Sequence, residues 1–224
     1  MRLFLLILLL PILFGHQARA NQNEVDSLIR AAMATTNDSV LLTLYNDIGS
    51  ASYKIDQQLA KKYWSKAYNL GEELSQVNPS YYNRNQLATA ANGLGIVARR
   101  MGEYSKALGY YQQCLVINEE LDNKPSLGST YQNMGIIYRD LEEYDKAISY
   151  YNNSLNIRKK AKDTLGLAST YNAFGILYRR TKEYDLALKY YHKSLELSAL
   201  MLDDENVAQS YNNIGVVYII AENY

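Results

Sequence analysis

The strongest constraint on this chain is a repeat of forty residues. Gly95, Gly135, Gly175 and Gly215 are each separated by 40, and so are Tyr104, Tyr144, Tyr184 and Tyr224. The pairs Tyr110-Tyr111, Tyr150-Tyr151 and Tyr190-Tyr191 keep the same interval, as do Ala107, Ala147, Ala187 and Leu115, Leu155, Leu195. Aligning Gly128–Tyr151 with Ala168–Tyr191 gives 13 identities in 24 positions. A period of this length marks stacked supersecondary units: none can bury its apolar face alone, so neighbours must supply the core.

Within a unit the apolar spacing is helical. Tyr131, Met134, Gly135 and Tyr138 fall at i, i+3, i+4 and i+7, one face of a first helix A; Tyr144, Ala147, Tyr151 and Leu155 do the same for a second helix B. Leu141-Glu142-Glu143 leaves room only for a tight turn between them. Glu143 and Asp145 suit the positive end of helix B. Asn123, Asp163 and Asp203 stand where a short polar side chain caps the next helix A, and Pro125 is tolerated in a first turn. Small residues in the Gly135 and Ala147 columns let the two helices approach closely. Sixteen of the 22 tyrosines lie in these columns, which reads as packing. Cys114 shares a small-residue column with Ser154 and Ser194 and reads as inert core; His192, in a column with Gln112 and Asn152, reads as solvated surface.

A unit bearing Tyr131, Met134-Gly135, Tyr138, Tyr144, Ala147, Tyr151 and Leu155 resembles the tetratricopeptide repeat. The next carries Tyr171, Phe174-Gly175, Tyr178, Tyr184, Ala187, Tyr191 and Leu195; an earlier one has Leu94-Gly95, Gly102, Tyr104, Ala107 and Tyr111, with Ala91 and Ala98 where the family prefers aromatics. The period of 40, against about 34 in the common form, resembles the longer-helix branch. Full units are expected at 88–127, 128–167 and 168–207, a degenerate one at 42–87 around Tyr45, Ile48-Gly49, Ala60, Trp64 and Ala67, and helix A alone at 208–224. Residues 21–41 read as a capping segment with a short amphipathic helix over 24–34. The resemblance implies an all-α fold, a right-handed superhelical solenoid of antiparallel helix hairpins.

It also implies a peptide-binding concave face, formed by the side of helix A opposite its packing stripe. Ser129, Gln132, Ile136, Arg139 and Asp140 cluster there at 100° per residue. By column this gives an amide ladder, Asn92, Gln132, Asn172 and Asn212, able to donate to and accept from a peptide backbone. Arg99, Arg139 and Arg179 form a second ladder, thickened by Arg100 and Arg180, whose guanidinium forks favour carboxylates. The same arginines sit in the last turn of helix A, where cations also offset the helix dipole. The expected partner is a protein or peptide, acidic if the arginines face it. The family's clamp for a chain-terminal acidic motif is not matched, because Ile96, Ile136 and Ile176 occupy one of its positions.

Other chemistries find little support. Lys+Arg and Asp+Glu number 23 each, giving no cationic surplus for nucleic acid. One cysteine and two histidines offer no Cys/His zinc cluster, and no metal or cofactor is expected. GxxxxGK[ST], HExxH and GxSxG are absent, and Gly93-x-Gly95 follows no strand. The expectation is a non-catalytic segment.

The first twenty residues read as an export signal. Met1-Arg2 precedes an apolar run over 3–14, and Ala18 and Ala20 give an A-x-A site with the cut after Ala20. Twelve residues make about 18 Å of helix, short of a bilayer core of about 30 Å. The remaining 204 residues carry 21 bases and 23 acids. The expected location is the periplasm or cell envelope. At the other end, a helix A bearing Tyr211, Ile214, Val217 and Tyr218 without a following helix B reads as the front part of a longer protein, with membrane attachment only through a further C-terminal region. Export ahead of 40-residue hairpins resembles the sensor regions of bacterial membrane-bound histidine kinases; a free-standing periplasmic scaffold is the alternative.

Overall fold

The computed structural model describes residues 21–221, all of whose regular structure is helical. The expected signal segment and the Tyr224 position lie outside the described residues. Helix α1 occupies 21–34. It is followed by α2 (Asp38–Ser52), α3 (Gln57–Val77), α4 (Tyr81–Arg100), α5 (Tyr104–Glu120), α6 (Lys124–Asp140), α7 (Tyr144–Ala161), α8 (Thr164–Arg180), α9 (Tyr184–Leu200) and α10 (Asp204–Ala221). The fold is the all-α helix-hairpin array expected from the period. Helices α6, α8 and α10 begin about four residues before the boundaries drawn from sequence identity, at Lys124, Thr164 and Asp204, and α4 begins earlier still, at Tyr81, because the caps and not the identities set helix starts. The chain divides into two compact units, 1–113 and 114–224, with the division inside α5.

Turns obey a period of twenty. Gly102, Asp122, Glu142, Lys162, Lys182 and Leu202 all have positive φ, between 50° and 74°. In each case the following N–H reaches back to a carbonyl five residues earlier: Glu103 to Ala98, Asn123 to Asn118, Glu143 to Tyr138, Asp163 to Arg158, Glu183 to Tyr178 and Asp203 to Ser198. This left-handed close satisfies carbonyls that a helix end leaves unpaired. The A helices then start on side-chain caps: Asn123 accepts from Ser126 N, Asp163 from Gly166 N, and Asp203 from Asn206 N.

In the unit 114–224, α6 pairs with α7 and α8 with α9, while α10 packs on α9. The pairing rests on a ring seated on a glycine. Tyr151 and Tyr191 are fully buried, and a Cβ on Gly135 or Gly175 would stand 2.5 Å from the respective ring. The Tyr151 ring also meets Phe174 of the next hairpin edge-on, with centroids 5.2 Å apart. One side chain therefore closes its own hairpin and starts the next interface. Outside it, Tyr150 stacks on Tyr138 at 5.1 Å, and Tyr190 stacks on Phe174 and Tyr178 at 4.8 and 5.4 Å. Arg158, 4% exposed, ties α7 to the start of α8, donating to the Gly166 carbonyl and lying 3.7 Å from Asp163. Burial lowers its pKa, and the Asp163 carboxylate opposes that.

In the unit 1–113 the same seat recurs with Tyr111 on Gly95. At α3 the ring is larger. Trp64 lies between Gly49 of α2 and Gly93 of α4, and a Cβ on either would collide with the indole. The columns that place Asn133, Ala173 and Asn213 at other hairpins have glycine at 93, which makes room for the second ring. Val25 of α1 packs with Ile48 and Tyr63, so the N-terminal helix covers the end of this core.

Two glycines of opposite kind test this account. Gly135→Ala should lower stability by about 2 kcal/mol through overpacking. Gly109, inside α5 with open space where its Cβ would be, should tolerate Ala and gain about 1 kcal/mol. Urea unfolding midpoints of the two variants should move in opposite directions.

Candidate binding face

Within the unit 114–224 the A helices line the inner side: α6 touches α8, and α8 touches α10, whereas among the described residues α7 and α9 make no contact. The amide ladder runs along this side, and much of its hydrogen-bonding capacity is spent between helices. Gln132 Nε2 donates to Ser169 Oγ at 2.9 Å, and its Oε1 accepts from Thr170 at 3.1 Å. Asn213 Nδ2 donates to Asn172 Oδ1 at 2.8 Å, while Asn172 Nδ2 is 3.5 Å from Gln209 Oε1. The residue that meets Asn172 is thus Asn213; Asn212, the one picked by column, is exposed on α10. Ser169, Thr170, Gln209 and Asn213 are the partners that column reading missed. Thr130, Thr170 and Ser210 form a forty-residue column of their own, the signal that was there to find.

The arginines behave differently. Arg139 reaches the adjacent Asp140 through Nη2 at 2.8 Å and Nε at 3.2 Å. Arg180 approaches the same Asp140 oxygen at 3.8 Å, and its Nη1 is 3.4 Å from the Arg139 carbonyl. Arg179 lies beside the buried Tyr191 hydroxyl; burial raises that group's pKa, and the Arg179 and Arg139 charges partly offset the rise. Three guanidinium groups and one carboxylate therefore gather at the C-terminal ends of α6 and α8. All three arginines stand in the last turns of α6 and α8, where a cation offsets the negative end of the helix.

In the unit 1–113, Asn92 lies in a cleft of about 220 Å³ with Ser50, Tyr53, Trp64, Thr89, Gly93 and Ile96. Arg100 stands over the Tyr53 ring, 4.8 Å from its centre. One turn before Ser50, desolvation raises the pKa of the Asp47 carboxyl. Below it, Asn46 Nδ2 donates to Gln86 Oε1 at 2.8 Å, linking α2 to α4 as Gln132 links α6 to α8. Arg99 is half-buried in the last turn of α4.

Cys114 is completely buried, and burial pushes its thiol up to about 12. His192 is exposed on α9. Among the described residues, no three His, Cys, Asp or Glu side chains converge to hold a metal ion, and no helix is long and apolar enough to cross a membrane.

With this geometry in hand, comparison with known proteins is informative. The sequence profile of the tetratricopeptide repeat matches residues 86–160 and 166–224. The chain belongs to the tetratricopeptide repeat family. No curated protein matches it. Among solved structures it is similar to BtubC from P. vanneervenii, with 21% identity over 93% of this chain and 84% of that one, at a TM-score of 0.67. The apo form of RapI gives 18% identity, a TM-score of 0.69, and coverage of 92% and 56%. A STAND signal-transduction ATPase with a tetratricopeptide repeat sensor, from Pyrococcus horikoshii, gives 17%, 0.70, 92% and 31%. The chain thus spans about half of RapI and a third of the ATPase. These likenesses concern the fold. Tetratricopeptide repeats are modules that bind proteins or peptides.

Burial of Cys114 has a measurable consequence. An unfolded thiol ionises near 9.0, the folded one near 12. The folded state therefore keeps a proton that the unfolded state loses, and the stability present below pH 9 declines as pH rises towards 12. Urea titrations should show a shallower alkaline decline for Cys114→Ala than for the unmodified chain, and a thiol reagent should react only after unfolding.

Proposed function

We propose that this tetratricopeptide module is exported and binds an acidic segment of a partner protein along the inner side of its A helices. The observation that carries the reading is the clustering of cations at the ends of α6 and α8, where Arg139 and Arg180 both reach Asp140 and Arg179 lies beside the Tyr191 hydroxyl. Arg139 is only 12% exposed and Arg180 45%, so carboxylates docking there meet partly desolvated cations, which interact more strongly than free surface charges. The amides contribute less than a free ladder would, since Gln132 and Asn172 already bridge successive A helices. What they retain is spare donor and acceptor capacity beside the cations.

Export rests on the first twenty residues: the basic start, the twelve-residue apolar run and Ala18-x-Ala20. The setting we propose is the sensory part of an envelope signalling protein. A repeat array suits that role because each hairpin touches only its neighbours, so small rotations accumulate along the stack. The tetratricopeptide repeat sensor of the STAND signal-transduction ATPase is an instance of the same fold serving as a sensor.

Binding is tested with an acetylated hexaglutamate peptide as probe. Arg139→Ala combined with Arg179→Ala should weaken it by at least tenfold at low salt, and affinity for the unaltered chain should fall steeply as salt rises. Unchanged affinity together with lowered thermal stability would assign the arginines to helix-end electrostatics alone. For export, residues 1–30 fused to an alkaline phosphatase lacking its own signal should give active enzyme, which needs the oxidising periplasm; inactive cytoplasmic fusion would overturn that half of the reading.

A further inference from the structure

We propose that Asp140 is a built-in competitor for the acidic ligand, occupying the cationic site until a stronger anion displaces it. This rests on the arginine reading above and concerns how that same site is regulated. The column one residue after the ladder arginines reads Arg100, Asp140, Arg180 and Ile220, so an acid interrupts a line of bases at one place only. At that place it is engaged from two helices. Asp140 Oδ1 accepts from Arg139 Nη2 at 2.8 Å and Nε at 3.2 Å, and it stands 3.8 Å from Arg180 Nη2 of α8.

The repeat does not demand an acid at this position. Asp140 is the last residue of α6, where the negative end of the helix favours a cation and disfavours a carboxylate. The arginine found in the same column at 100 and 180 obeys that rule. An acid here works against the helix end, and its contacts with Arg139 and Arg180 offset that. Through those contacts it presents to the two guanidinium groups the same carboxylate chemistry that an incoming Glu or Asp side chain would bring.

Two consequences follow. A single carboxylate at the site binds no better than Asp140 already does, so a ligand must bring several acids to compete, which selects for acidic runs over isolated acids. Removing the Asp140 charge should also expose the full cationic cluster. Asp140→Asn keeps the shape and removes the charge; Asp140→Glu keeps the charge.

The test measures binding of acetylated hexaglutamate, with hexaglutamine as the neutral control, to the full chain and both variants across a salt series. Circular dichroism first establishes that each variant is folded. Asp140→Asn should bind hexaglutamate roughly tenfold more tightly at low salt, the gain should shrink as salt screens it, and Asp140→Glu should stay near the unaltered chain. Equal affinity of the Asn variant and the unaltered chain would overturn the proposal while leaving the arginine reading intact. Weaker binding by the Asn variant would also overturn it, showing that Asp140 holds the arginines in place for the ligand. Binding by none of the three proteins would overturn the arginine reading itself.

Discussion

An aromatic ring from helix B resting on a helix A glycine is the contact on which this architecture depends. It fixes how near the two helices of a hairpin lie, because the ring fills the space a Cβ would need at Gly135 or Gly175. It also fixes what the next hairpin meets, since the far side of the Tyr151 ring is the surface that receives Phe174. One contact thus sets a distance within a hairpin and a shape between hairpins. Repetition every forty residues follows from it: any unit that lost its glycine or its ring would misplace both its own partner and its successor. The ring buries on the order of 150–250 Å², so each seat is also a large hydrophobic contribution.

The polar layer is arranged around that seat. Once the rings set the spacing, the inner edges of successive A helices come close enough for amides to bridge them, as Gln132 does to Ser169 and Thr170, and Asn46 to Gln86. These bonds sit on the side where a peptide would lie, so they stiffen the surface at the cost of part of its free hydrogen-bonding capacity. A side chain already ordered by one bond loses less entropy when a ligand takes another. In the proposed binding mode the amides would act as a preorganised edge beside the arginines, with the arginines supplying most of the chemical discrimination.

The fold was legible because its signals are periodic and local. The caps at Asn123, Asp163 and Asp203, the A and B stripes, and the tight turn at Leu141–Glu143 could each be read from a few neighbouring residues, and the structure uses them as read. The ends of the units were less legible, because identity between repeats is greatest in the packing stripe and says little about where a helix starts. The face was legible by position only. Column arithmetic put Gln132, Asn172, Arg139 and Arg179 on the inner side. It could not tell that Asn213, one residue along from Asn212, would turn towards Asn172, or that Gln132 would find a threonine on α8. Those contacts depend on the distance between two A helices, which no single unit encodes.

The distinction between conserved and broken columns indicates where function resides in such a chain. A column repeated in every hairpin serves what every hairpin needs, namely the seat, the cap and the turn. A place where a column breaks gives one hairpin a property that its neighbours lack. Two such breaks alter local shape and charge. Tryptophan replaces tyrosine at 64, with a compensating glycine at 93, and the two border the Asn92 cleft. Aspartate replaces arginine at 140, against the preference of the helix end it occupies. The first change alters shape within the unit 1–113 and the second alters charge within the unit 114–224.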